Sequence, residues 1–180
     1  AFLNSAEIFV TRSRTRILSS EGTDAAYTDA KAEGEFVVQC QEPEDVEIHN
    51  TYSYDTLDTA ALTKKVAEAL TFVRDRSRAQ RILKSGQYDV VLSAEAAATV
   101  LSYYQDRAAA QMIYPKYSTW QVGEQVQGEE ISGAKLDLDL CATQPYSDEG
   151  IPMEDLPLLR AGQLKAIHGN NRFCRYLDIK

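Results

Sequence analysis

Two histidines, His49 and His168, three cysteines, Cys40, Cys141 and Cys174, and one adjacent acid pair, Asp148-Glu149, are the residues best suited to chemistry. A zinc hydrolase of the common helical kind needs two imidazoles one turn apart, so that both face one ion, with a Glu nearby to activate water. His49 and His168 stand far apart and supply no such pair. His49 lies in an alternating polar stretch and reads as a surface residue; His168, ahead of Gly169-Asn170-Asn171, reads as a loop residue. The cysteines form no Cys-x-x-Cys pair and are odd in number. They indicate neither a disulfide framework nor a zinc knuckle and read as reduced structural thiols. No Ser sits in a Gly-x-Ser-x-Gly elbow, and Gly123, Gly128 and Gly133 lack the spacing of a phosphate-cradling loop. The acid pair lies in Tyr146-Ser147-Asp148-Glu149-Gly150-Ile151-Pro152 and could serve catalysis, a metal or a turn. Adjacent loop carboxylates point apart, so a turn with Asp148 as side-chain cap and a positive-φ Gly150 is the plainer reading.

The elements that would position these residues fall into three regions. From Glu7 to about Tyr54, β-branched and aromatic residues alternate with polar ones, broken at Glu21-Gly22-Thr23-Asp24 and at Glu42-Pro43-Glu44-Asp45; this predicts three antiparallel strands, the first exposed on both faces. Asp58 or Thr59 can then cap a helix whose apolar face is Leu62, Val66, Ala69, Leu70 and Val73, with the polar run Arg74 to Arg81 carrying it toward a break at Lys84-Ser85-Gly86. Tyr88 to Leu92 reads as a short buried strand, followed by Ser93 as the cap of a helix through AEAAATVLSYYQDRAAA. Beyond Met112 the pattern predicts extended structure: STWQVGEQV, then GAKLDLDLCAT with Leu136, Leu138 and Leu140 on one face, then LPLLRAGQLKAI as a strand or hairpin turning at Ala161-Gly162. Tyr103, Tyr104, Tyr114, Tyr117, Tyr146 and Trp120 could form a recognition surface but read more simply as packing. The fold class is α+β, with antiparallel or mixed sheets and a few helices.

Bulk properties narrow the partners. A chain of 180 residues, 44% hydrophobic, can build one ordinary core or two small ones. Its 27 acidic against 19 basic residues give a net charge of −8, which repels phosphate backbones and argues against direct nucleic-acid binding. No apolar run approaches the roughly 20 residues that span a bilayer, so no membrane partner is expected. The start, AFLNSAEIF, lacks the features of a signal peptide, and the expected compartment is the cytoplasm.

Taken in order, VVLSAEAAATVL (90–101), WQVGEQV (120–126) and PYSDEGIPMEDLPLLRAGQLKAI (145–167) resemble the TldD/PmbA family, also called TldD/TldE and historically described as modulators of DNA gyrase. Upstream, ILSSEGTDAAYTDA (17–30) resembles the family's Asn-Ser-x-Gly strand and turn, and LDTAALTKKVAEAL (57–70) its linker helix. The resemblance implies a division at residue 84: 1–84 as the end of an amino-terminal α/β portion, 85–180 as the start of a β-rich carboxy-terminal domain, the chain being an internal piece of a longer protein. It also implies kinship with zinc-dependent peptide cleavage, in which one subunit carries a His-Glu-x-x-x-His helix and a related one lacks it. The corresponding stretch here, ATVLSYYQDRAAA (98–110), contains neither His nor Glu. The chain thus resembles the non-catalytic, TldE-like kind, with no cofactor of its own, zinc in a TldD-like partner or a homodimer as the assembly, and an extended peptide as substrate. Asp148, Glu149 and Gly150 are then candidate substrate-binding residues. Two alternatives are an active metallopeptidase, with ligands elsewhere or a site re-formed from His168 and Asp148-Glu149, and a protein-interaction modulator of gyrase.

Overall fold

The computed structural model describes residues 1–54, 58–80, 84–128 and 130–179. It divides into two compact units, Ala1–Gly86 and Gln87–Lys180.

In the first unit, strands β1 (Phe2–Leu18), β2 (Asp24–Cys40) and β3 (Val46–Tyr54) form an antiparallel sheet in the order β1-β2-β3. The three expected strands are therefore present. Gly22, at φ 97°, turns β1 into β2, where a side chain would be strained. Helix α1 (Thr59–Ser77) begins as read: the Asp58 carboxylate accepts from the N–H groups of Ala60 and Ala61, both at 3.0 Å. Its apolar stripe lies on β2 and β3. Phe36, Val38, Cys40, Tyr52, Ala69 and Val73 are buried together, with Ile48, Leu62, Val66 and Leu70 packed around them. Alternation explains the choice of face, since Phe36, Val38 and Cys40 are two apart and point the same way. Gly34, opposite Tyr52, has a packing reason: a Cβ there would fall on the Tyr52 hydroxyl and the Glu7 carbonyl oxygen. The helix ends at Ser77, with Arg78 as its cap. Leu57 and Arg81, the ends of the expected helix and polar run, lie outside the described residues.

The second unit opens with a correction. Tyr88 to Leu92 forms no strand, and Val90 and Val91 are 73% and 97% exposed. The apolar run suggested burial, but a strand needs a neighbour to take its backbone groups, and no strand among the described residues pairs with Val90 to Leu92. Ser93 then caps α2 (Ala94–Arg107), its hydroxyl accepting from Ala96 N. This helix ends before the expected Ala110, and Ala108-Ala109 separates it from the short α3 (Ala110–Ile113). The cause is pairing with a distant segment: Ala110 N donates to His168 O at 2.7 Å, and His168 N to Ala108 O. A second antiparallel sheet follows in the order β4 (Leu138–Leu140), β5 (Leu156–Arg160) and β6 (Gln163–Leu164). Leu136, Leu138 and Leu140 are half-buried on one face as their spacing required, although only three residues are strand. The expected extended STWQVGEQV is instead a pair of turns, with Gly123 and Gly128 at positive φ and a single bridge from Gln125 to Gln163. The hairpin at Ala161-Gly162 is present. Both residues have positive φ, 49° and 75°, which matches the twist of the flanking strands. Leu158, Leu159, Leu164 and Ala108 form the core, with Tyr104, Trp120, Val126 and Ile167 against it. Helix α4 (Asn171–Tyr176), not expected from sequence, closes the unit, capped by the Asn170 side chain on Phe173 N. The fold is α+β, with two antiparallel sheets and four described helices.

Candidate functional site

The acid pair sits at the tip of a closed loop. Tyr146 bridges Pro152, Met153 N donates to Pro145 O at 2.9 Å, and Ser147 N donates to Ile151 O at 2.8 Å. The loop is the turn that the residues suggested, but the cap is Ser147 rather than Asp148. The Ser147 hydroxyl accepts from Glu149 N and Ile151 N, while Gly150, at φ 75°, reverses the chain.

With its cap role taken, Asp148 is exposed beside a cleft of about 620 Å³ that the loop shares with the segment from Gly169 to Ile179. One wall is apolar: Ile151, Met153, Cys174 and Ile179. Burial pushes the Cys174 thiol up, so it stays protonated at neutral pH and lines the wall as a small apolar group. The other wall is polar and tied together by one amide. Asn171 Nδ2 donates to Glu149 Oε2 at 2.5 Å, and Arg175 Nε donates to Asn171 Oδ1 at 3.0 Å. A carboxylate and a guanidinium are thereby held on either side of Asn171, leaving Asp148 to the solvent. Phe173 and Tyr176 of α4 meet Tyr114 and each other in tilted and edge-to-face contacts with centroids 5.0–5.9 Å apart, and the Arg172 guanidinium lies 5.7 Å from the Tyr176 ring. These contacts fix the helix and through it Asn171 and Arg175.

The expected residues Asp148 and Glu149 thus line one cleft, with Gly150 shaping its loop. Asn171, Cys174 and Arg175 belong to it too. Their only sequence signal was Asn170, a good helix cap before NRFCRY. His168 is turned elsewhere: its Nε2 lies 2.8 Å from the Gln105 carbonyl oxygen, to which it must donate. His49 is exposed on β3 and pairs with Glu35 at 3.0 Å. Of the aromatic group, Tyr104 and Trp120 pack against the core and Tyr114 contacts the rings of α4, whereas Tyr103 and Tyr117 are 55% and 70% exposed. Helix α2 carries one acidic residue besides Asp106, the exposed Glu95 in its first turn, and no histidine. Among the described residues no three His, Cys, Asp or Glu side chains come together as metal ligands, so the donor set does not fit a zinc site. The cleft is suited to hold an amphipathic ligand through an apolar wall and fixed charges.

Residues 85–180 match the family model described as PmbA/TldA metallopeptidase C-terminal domain, and the chain belongs to that family. The crystal structure of TldE from Thermococcus kodakarensis shares the fold, with a TM-score of 0.66 at 15% sequence identity over 97% of this chain. The chain spans 41% of the length of that structure. Among curated protein sequences it has no match.

Proposed function

We propose that the chain belongs to a TldE-like subunit, related to zinc metallopeptidases, that serves peptide maturation or proteolysis in the cytoplasm as the non-catalytic partner. Zinc sits in a TldD-like subunit, and this chain helps to shape the cleft in which an extended peptide is held. The observation that carries the reading is the composition of α2, where the resemblance puts the His-Glu-x-x-x-His motif. It has no imidazole, and its one glutamate stands in the first turn without a ligand partner. In the cleft by Asp148, Glu149 and Gly150 an apolar peptide side chain would lie on Ile151, Met153 and Ile179, and a basic one would meet Asp148. No helix among the described residues is long and apolar enough to cross a membrane.

Metal analysis tests the proposal. Purified chain, equilibrated with zinc and dialysed, retains far less than one zinc. One tightly held zinc per chain would overturn the non-catalytic assignment. Chelator-sensitive peptidase activity in the full-length protein, abolished by His168→Ala, would favour an active enzyme instead.

A further inference from the structure

The long hairpin of β1 and β2 is sorted by charge. Successive cross-strand pairs alternate between its two sides. Arg12 with Ala30, Arg14 with Thr28 and Arg16 with Ala26 share the face that α1 covers further along the sheet, whereas Glu7, Asp29, Glu33, Glu35 and Glu47 stand on the other. Asp24, the strand acid on the arginine side, is taken by Arg16. Arg12 and Arg14 are exposed and have no ion pair or hydrogen bond among the described residues. Ala30 and Thr28 opposite them are too short to cover them, and Ser13, Ala26, Tyr27 and Thr28 complete a concavity of about 550 Å³ at their side. The site is built on a face by residues of both strands and does not involve the outer edge of β1.

We propose that this face binds an extended acidic peptide segment of another protein, with Arg12 and Arg14 each taking one carboxylate of a Glu-x-Glu or Asp-x-Asp pair. Spacing selects the ligand. Alternate residues of a strand stand about 6.6 Å apart on one side, so the two arginines repeat at the distance at which an extended segment presents its own alternate side chains. Facing strands pack roughly 10 Å apart, a gap that an arginine from one side and an acidic side chain from the other together span. The planar guanidinium grips a carboxylate through two parallel hydrogen bonds, and the small residues beside it leave both forks free to turn. A long phosphate polymer is a poorer occupant, because the acids on the opposite face and the net charge of −8 repel it. The chain's own alternating strand acids are engaged: Glu33 with Lys31, Glu35 with His49, Asp137 with the Ala161 N–H, and Asp139 with Arg160. The segment therefore comes from a different chain. The site belongs to the first unit, neither uses the cleft nor depends on where zinc resides, and can fail separately from the metal assignment.

NMR titration of the full 180-residue chain, followed through the arginine Nε–H signals, tests the proposal with two capped pentapeptides of one composition, SETES and SEETS. SETES is expected to shift the Arg12 and Arg14 signals saturably. It binds about fivefold more tightly than SEETS, whose adjacent glutamates point to opposite sides. Arg12→Gln and Arg14→Gln each raise the SETES dissociation constant about fivefold. Lys31→Gln, which removes the same charge from the opposite face, leaves it unchanged. The amide spectrum of each variant reports its folding. No shift at either arginine, equal affinity for SEETS, tighter binding of inorganic phosphate than of SETES, or a loss in Lys31→Gln equal to that in the arginine variants would overturn the proposal. If a variant misfolds, the comparison of the two peptides and phosphate on the unaltered chain decides.

Discussion

Asn171 occupies both ends of its amide on opposite charges, which makes it the residue that orders the cleft. None of that was legible in the sequence. Asp148-Glu149 announced a turn through residue type, but which hydroxyl or carboxylate caps it depends on a loop closure that pairs Tyr146 with Pro152. Two predictions belong at this scale. Cys141 is exposed, whereas Cys174 is half-buried with its thiol pushed up by burial; in the folded chain iodoacetamide labels Cys141 first, as peptide mass spectrometry would show. Near the β1–β2 turn, Arg16 donates twice to Asp24, at 2.9 and 2.8 Å, and holds that carboxyl below the usual carboxylate range. The folded value lies below the unfolded one, so the pair's small contribution is complete above the ordinary range and fades as pH falls through the lowered value. Arg16→Gln should return the Asp24 titration, followed by NMR, toward its ordinary position.

Elements were more legible than residues where periodicity and turn chemistry agreed. β1 to β3, the capped helices α1 and α2 and the Ala161-Gly162 hairpin all followed from patterns confined to a few residues. Tyr88 to Leu92 failed because a strand depends on a neighbour that its own sequence cannot display. Helix α4 was missed because six residues are too few to show a period, leaving Asn170 as the only sign. Ala161 occupies a left-handed position that Asn accepts better. Ala161→Asn should therefore stabilise the hairpin by about 0.5 kcal/mol, read as a raised midpoint in urea. Gly34→Ala should destabilise by about 1–3 kcal/mol, since Tyr52 and the Glu7 backbone must yield to the added methyl.

At the scale of the whole molecule, two units each close their own core. Composition permitted either one core or two; the pattern alone could not choose, because the break near Gly86 looks like any loop. Leu159 is fully buried, and Leu159→Ala should cost about 2–5 kcal/mol. Hydrogen exchange should report the loss in amides of Gln87–Lys180, with those of Phe36 to Cys40 as the internal reference.

Among the described residues β3 pairs with β2 as far as Ala32, and from there Thr11 to Leu18 and Asp24 to Lys31 run on as a two-stranded ribbon. A two-strand ribbon has little to resist fraying, and this one carries three arginines along one margin. Trypsin, which must thread an extended backbone past its active serine, should nick the chain there first.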